Sequence, residues 1–331
     1  MIAALPSTMG IVGVGSAIPQ RVMTNHEFAP RIDTNDAWII ERTGIRERRI
    51  AADDEYSSDL GLAAAQIALD RSGIAPAQID LVLCATCTPD AYFPSVAALI
   101  ADRLGAHTAA ASDVSAACTG FVYALVQAAA QIHAGLVENV LVVGSETLSR
   151  ILDWDDRGTC ILFGDGAGAC VLSAGALGAT TTFGLELGSD GSRGDDLIVG
   201  AIRGRKVIEM NGREVFKFAS RVMVESVERV LEVAELTIAD VDWLVPHQAN
   251  IRIIDHAVKR LGIDPDRVVT NLDRFGNTSA ASIPICLDEA WRDGRLKQGD
   301  RVMMVGFGGG LTWGSCLTEW AAADAVNGGT A

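Results

Sequence analysis

Apolar positions along the chain take two forms, short runs and longer stretches at helical spacing. Short runs at 11–15, 79–84, 140–144, 241–245 and 301–305 are bounded by glycine, proline or charge, which predicts buried strands. A last strand is expected at 314–320. Helical spacing over 36–42, 58–72, 93–104, 121–133, 214–234, 252–261 and 283–291 predicts helices. Gly73, Gly105 and Gly262 stop three of these, and Pro94 introduces one. The glycine-rich apolar segment 161–172 predicts paired strands that bend. From 183 to 212 glycine and charge dominate, which predicts a long surface loop or cap, and 321–331 predicts a frayed tail. Strands alternating with helices predict an α/β architecture with helices covering buried sheets.

Two strand patterns recur. Ile79-Asp80-Leu81-Val82-Leu83 resembles Val241-Asp242-Trp243-Leu244-Val245, and Val140-Leu141-Val142-Val143-Gly144 resembles Val302-Met303-Met304-Val305-Gly306. Both pairs share one offset, 242 − 80 = 162 and 302 − 140 = 162. At that offset the segment around Cys118 falls on 277–283, and the helix 58–72 falls on 220–234. Two similar halves are expected, 1–178 carrying Cys118 and 179–331 carrying His247 and Asn277. Their central helices would lie between the sheets, and a pseudo-twofold axis would bring the three side chains into one crevice.

Cys118 stands in Asp113-Val114-Ser115-Ala116-Ala117-Cys118-Thr119-Gly120-Phe121, which reads as a strand, a tight turn and the start of a buried helix. A thiol there faces the positive end of the helix dipole, which favours thiolate. Ala116, Ala117 and Gly120 leave room for an approaching group. A buried structural cysteine accounts for the same pattern when Cys118 is taken alone. His247 taken alone is a strand-end histidine, and Asn277 after Gly276 is a turn or cap residue. His26, His107, His133 and His256 show no partner pattern. Cys84-x-x-Cys87 has no second ligand pair, so both cysteines are read as structural.

Composition narrows the setting. The chain has 331 residues, 49% hydrophobic and 21% charged, enough for a large core. With 34 glycines and 5% aromatics, its elements should pack closely. A net charge of −15 argues against nucleic acid or anionic membrane as a partner, so any basic feature is local. Arg42, Arg46, Arg48 and Arg49 form one basic island. Arg252, Lys259 and Arg260 lie at helical spacing along another segment. Seven cysteines, an odd and scattered set, predict free thiols in a reducing cytoplasm. No apolar run is long enough to span a bilayer, and Met1 to Gly10 lacks the pattern of a secretory leader.

Four motifs carry a resemblance that runs from about Ile11 to Trp320. They are Ser115-Ala-Ala-Cys118 with Gly120-Phe121, Val245-Pro-His247-Gln-Ala-Asn250, Gly276-Asn277-Thr-Ser-Ala-Ala-Ser282 and Gly306-Phe307-Gly-Gly-Gly310. In this order they make the chain resemble the β-ketoacyl-acyl carrier protein synthase III family of initiating condensing enzymes, within the thiolase superfamily. The resemblance implies the five-layer αβαβα thiolase fold, a homodimer and no metal or redox cofactor. It implies decarboxylative condensation of an acyl-CoA starter with malonyl-acyl carrier protein, initiating fatty-acid or related polyketide synthesis. Cys118, His247 and Asn277 match the catalytic trio, and the amides of Cys118 and Gly309 match the oxyanion hole. Trp38 and Arg157, and less closely Thr34, match positions that hold the CoA adenine. Phe307 matches an aromatic near the nucleophile, and Phe93 one that lines the neighbouring subunit's acyl pocket. Arg252, Lys259, Arg260 and Lys217 match a basic face for the acidic carrier protein. Thr119 departs from the alanine usual in relatives, either narrowing the acyl pocket or doing nothing.

Cys, His and Asn in this order also describe a papain-like hydrolase, though the local papain signature is missing. A thiolase that does not decarboxylate would need a second cysteine as base, and Cys316 stands outside any matching motif. An inactive partner that only docks carrier protein would have no use for all three reactive side chains.

Overall fold

The computed structural model describes residues 1–200, 204 and 206–323. The chain runs first through β1 (Ile2–Ser7), β2 (Gly10–Ala17), β3 (Arg21–Thr24), α1 (Asp36–Thr43), β4 (Glu47–Ile50), α2 (Ser57–Ser72), β5 (Leu81–Ala85), α3 (Val96–Leu104), β6 (Ala110–Val114), α4 (Gly120–His133), β7 (Asn139–Glu146) and β8 (Gly166–Ser173). It continues through β9 (Thr181–Ser189), β10 (Leu197–Val199), β11 (Ile208–Met210), α5 (Gly212–Val233), β12 (Trp243–Pro246), α6 (Ile251–Leu261), α7 (Leu272–Phe275), α8 (Ser282–Arg292), β13 (Arg301–Gly308) and β14 (Thr312–Glu319).

Two five-stranded sheets have the orders β2-β8-β7-β5-β6 and β1-β9-β14-β13-β12. In each, the strands that carry the repeat are parallel, β5 with β7 and β12 with β13. The return strands β8 and β14 pair antiparallel to them. Helices α4 and α8 lie between the sheets and touch both. α4 is apolar on nearly every side, with Phe121, Val122, Leu125 and Val126 all buried, which suits only a central position. Helices α2 and α3 cover the outer face of one sheet. α5 and α6 cover the other, α5 burying Val215, Phe218 and Val222 while its opposite side stays charged. The five layers thus alternate helix and sheet.

The repeat reappears in the element boundaries. β5 and β12 begin at 81 and 243, β7 and β13 at 139 and 301, and α4 and α8 at 120 and 282. Each pair differs by the same amount (243 − 81 = 162, 301 − 139 = 162, 282 − 120 = 162). Gly144 of β7 and Gly306 of β13 are also equivalent, and each receives the turn of the other half. A Cβ on Gly144 would lie 2.4 Å from the Ala280 carbonyl oxygen, and one on Gly306 would lie 3.5 Å from that of Cys118. At Gly144 a side chain would part the two backbones, whereas at Gly306 a Cβ would make an ordinary contact.

Several elements differ from expectation. Residues 181–189, expected within or beside a loop, form strand β9, to which β1 adds antiparallel at the sheet edge. α3 starts behind Ser95, whose hydroxyl caps the Ala98 N–H at 3.2 Å, so Pro94 lies outside the helix. In 161–172 only β8 is a regular strand, and Phe163 makes an isolated parallel bridge to Asn277. Arg48 is not part of a surface island. It is buried, donates to the Ile161 carbonyl at 2.8 Å and to Asn25 Oδ1 at 2.9 Å, and lies over the Phe28 ring. Burial lowers its pKa to about 10, so it keeps its charge at neutral pH. The expected frayed tail lies outside the described residues from 324 onward.

Candidate active site

Cys118 occupies the short turn between β6 and α4 and is 8% exposed. It borders a cavity of about 520 Å³ whose other walls include Cys87, Leu148, Ile151, Phe163 and Ser279. Burial pushes the thiol pKa up to about 12, and the Ser279 hydroxyl offsets part of that rise. The sequence favoured thiolate from the helix dipole; desolvation is the larger effect, so the resting sulfur is a thiol. Gly308 at the end of β13 presses against this turn. A Cβ there would lie 2.6 Å from the Cys118 amide nitrogen, so only glycine fits. Gly309 follows and lines the same cavity.

His247 stands one residue past β12, where its amide donates to the Val305 carbonyl at 2.8 Å. The ring is 1% exposed. Its Nδ1 lies 2.7 Å from Ser282 Oγ, while its Nε2 is buried with no protein partner. Phe307 meets the imidazole edge-on, 5.4 Å between ring centres. Burial lowers the imidazole pKa to about 3, so the ring is neutral at physiological pH. A neutral ring can donate or accept a hydrogen bond but brings no charge.

Asn277 is 5% exposed, and its backbone is clamped on both sides. Its N–H donates to Leu162 O at 2.8 Å, and its carbonyl accepts the Gly164 N–H at 3.0 Å. The side-chain Oδ1 accepts the Ser279 N–H at 2.8 Å, which leaves the amide NH₂ as its outward group. The turn from 277 to 282 therefore holds Asn277 directly and His247 through Ser282. Ser279 of that turn borders the cavity of Cys118. Cys118 of one half and the 277–282 turn of the other, through Ser279, thus border one cavity.

The other sequence-derived positions divide into three places. Arg157 lies over the Trp38 ring at 4.8 Å and donates to the Asp33 carbonyl at 2.6 Å. Thr34 is adjacent, with a buried hydroxyl that has no protein partner. Arg42 also reaches the Trp38 ring, at 5.6 Å. Arg252, Lys259 and Arg260 are exposed on α6, and Arg252 lies over Phe216, which brings Lys217 on α5 alongside. Lys217 itself pairs with Glu214 at 2.6 Å. Phe307 is buried against His247, whereas Phe93 is 84% exposed and outside its own chain's cavity.

Some site residues escaped the sequence reading. Cys87 lines the cavity, 3.9 Å from Ser279 Oγ. Its only sequence cue is the end of β5. Glu146 is fully buried behind it and accepts from the Cys87 N–H at 2.9 Å and the Thr88 hydroxyl at 2.8 Å. Burial raises its pKa. Thr119 does not line the cavity; its hydroxyl lies 3.0 Å from that of Thr312, which does. Cys316 is wholly buried on β14 and is no candidate base. Among the described residues no group of three or more His, Cys, Asp or Glu side chains is placed to hold a metal ion. No helix there is long and apolar enough to cross a membrane.

Comparison with known proteins shows the family of the chain. Residues 112–191 match the family described as 3-oxoacyl-[acyl-carrier-protein (ACP)] synthase III, and residues 231–320 match its C-terminal part. The beta-ketoacyl-[acyl-carrier-protein] synthase III of Desulfitobacterium hafniense is 53% identical over 326 residues, covering 95% of this chain and 98% of that protein. The protein of the same name from Symbiobacterium thermophilum is 51% identical over 324 residues, covering 94% and 98%. The solved structure of the Thermus thermophilus synthase III superposes with a TM-score of 0.90 at 47% identity, covering 95% of this chain and all of that one.

Proposed function

The chain belongs to the 3-oxoacyl-[acyl-carrier-protein] synthase III family, and from that premise we propose how its own residues divide the reaction. It is an acyltransferase, a thiolase-fold condensing enzyme that initiates fatty-acid synthesis. In our reading, Cys118 sulfur attacks the carbonyl of an acyl-CoA, and the amides of Cys118 and Gly309 hold the oxyanion. CoA leaves, and the acyl group stays on sulfur. Exchange of one thioester for another is nearly balanced in energy, so the step needs a good nucleophile and aimed donors more than driving force.

Malonyl-acyl carrier protein then loses carbon dioxide, and the bonding pair moves onto the thioester oxygen as an enolate. His247 Nε2 and the Asn277 amide NH₂ donate to that oxygen. The enolate carbon attacks the acyl-Cys118 carbonyl, the sulfur leaves, and the 3-oxoacyl product remains on the carrier. One observation carries this assignment: the Nδ1 of His247 and the Oδ1 of Asn277 are both engaged by the 277–282 turn. The opposite ends of both side chains stay free. Removing one such donor costs about 10²–10³ in rate. The test is Asn277→Ala, with carbon dioxide release from malonyl-carrier protein measured separately from Cys118 acylation. Loss of release with acylation intact supports the roles; the reverse pattern exchanges them.

We further propose that the CoA adenine slides between Trp38 and Arg157, with Thr34 supplying a hydroxyl. The apposition of Trp38 and Arg157, 4.8 Å from guanidinium carbon to ring centre, supports this, and the adenine would part the two as it enters. Arg252, Lys259, Arg260 and Lys217 form the landing face for the acidic carrier protein. The outward Phe93 closes the acyl cavity of a second copy in a homodimer. The chemistry written here calls on no metal or redox cofactor, and the seven free thiols fit a cytoplasmic enzyme. The repeat units are taken as 1–178 and 179–331, with β1 crossing to the second unit's sheet.

A further inference from the structure

We propose that Ser282 is a positioning residue that fixes His247 as the tautomer with its proton on Nε2. The proposal rests on the reading of His247 as an enolate donor and says what makes it one. A neutral imidazole has one N–H. If that proton sits on Nδ1, Nε2 presents a lone pair to the enolate oxygen and repels it.

Ser282 Oγ is the polar atom against Nδ1, at 2.7 Å, and it carries one proton with two acceptors in reach. The alternative acceptor is the Ser279 carbonyl, at 2.9 Å. That carbonyl already accepts the backbone N–H of Ser282, which caps the short Ser279–Ala281 turn. It keeps a donor when the hydroxyl swings to the imidazole. The Gln248 N–H, at 3.4 Å, points at Ser282 Oγ and takes its acceptor side. With Oγ–H given to Nδ1, each of these groups keeps a partner and Nε2 carries the proton. With Oγ–H given to the Ser279 carbonyl the same groups are satisfied but Nε2 is a bare lone pair, so the donor role of His247 requires the first arrangement. Nε2 is the buried atom without a protein partner.

The repeat supplies an independent argument. At the 162 offset His247 is equivalent to Ala85 and Ser282 to Gly120 (247 − 85 = 162, 282 − 120 = 162). The same two positions are neighbours in the first half, where a Cβ on Gly120 would lie 2.9 Å from the Ala85 Cβ. The architecture therefore accepts a pair of minimal side chains here. The second half replaces both members together, with a ring and a hydroxyl that reach one another. A serine required only for packing or capping would have no reason to appear opposite the histidine.

The test uses full-length protein labelled with ¹⁵N-histidine. Wild type should show His247 with Nε2 protonated and Nδ1 as acceptor. Ser282→Ala should mix in the other tautomer and slow malonyl decarboxylation by about 10²-fold, as for loss of one oxyanion donor, with Cys118 acylation unchanged. Ser282→Thr, which keeps the hydroxyl, should restore the wild-type spectrum and most of the rate. A wild-type spectrum with the proton on Nδ1 overturns the proposal, even if Ser282→Ala does not fold. So does a Ser282→Ala enzyme with unaltered tautomer and decarboxylation. His247→Ala separates the two levels: full decarboxylation in that variant sinks the enolate-donor role itself, whereas its loss leaves only Ser282 in question.

Discussion

Ala117 and Ser279 both take the left-handed backbone conformation, with φ of 47° and 48°, at equivalent places in the two halves (279 − 117 = 162). Neither is glycine, so each carries a Cβ where L-residues resist it, at a cost of about 1–2 kcal/mol. Each lies in the turn that precedes a central helix, one beside Cys118 and the other between Asn277 and Ser282. Strain of this kind persists where the surrounding structure over-determines the backbone.

Replacing Ala117 by glycine should therefore raise stability by about 1 kcal/mol, read from the denaturant midpoint. The same change should slow Cys118 acylation, because glycine frees the backbone of the turn that holds the neighbouring Cys118. A stability loss with unchanged acylation would contradict this account of the turn.

Gly308→Ala is expected to lower stability where Ala117→Gly raises it, and to slow acylation as well. Its Cβ would force the Cys118 amide to move from a 2.6 Å overlap. A displacement of that order costs about 10²-fold in rate through lost alignment. Overpacking costs stability by about 1–3 kcal/mol. Single-turnover acylation and thermal unfolding measure the two effects separately.

Decarboxylation by the His247–Asn277 pair should not follow imidazole titration. A free histidine changes charge near pH 6.5, but burial holds this one down to about 3. The rate of carbon dioxide release should stay level from about pH 5 to 8. An inflection near the ordinary histidine value, removed by His247→Gln, would show that charge on the ring matters after all.

Glu146 gives a stability prediction of definite sign. Burial raises its folded pKa, so between the unfolded value and that raised value the unfolded chain has lost the proton that the folded protein keeps. Its contribution is fully present below the unfolded pKa and is lost as pH rises through the folded one. Glu146→Gln cannot ionise. The stability of this variant relative to wild type should therefore increase as pH rises above the ordinary carboxylate value of about 4.3, as followed by chemical denaturation. A difference that does not change with pH would mean that folding does not raise the Glu146 pKa.

Much of this arrangement is legible in the sequence because buried parallel strands leave plain apolar runs. The offset between 79–83 and 241–245 alone places the turns of Cys118 and Asn277 in equivalent positions. β9 is hidden for a physical reason. Its Glu186 is only 7% exposed yet charged, and is satisfied by Arg229 at 2.8 and 3.1 Å from a distant helix. An ion pair inside a strand reads as surface when one partner is out of sight. β1 depends on that same strand for its pairing and has no strong pattern of its own. Arg48 misleads similarly, because its acceptors are carbonyls and an asparagine far along the chain. Ser282 lies inside a motif that drew attention to Asn277. Its partner became visible only when His247 folded against it.

Intact-protein mass spectrometry with acetyl-CoA and branched acyl-CoAs is the most direct test of the central claim, that Cys118 takes up the starter. A single acyl group should appear on the protein, map to Cys118, be absent from Cys118→Ala, and disappear on addition of malonyl-carrier protein. No adduct with any acyl-CoA, or an adduct that survives in Cys118→Ala, would contradict it.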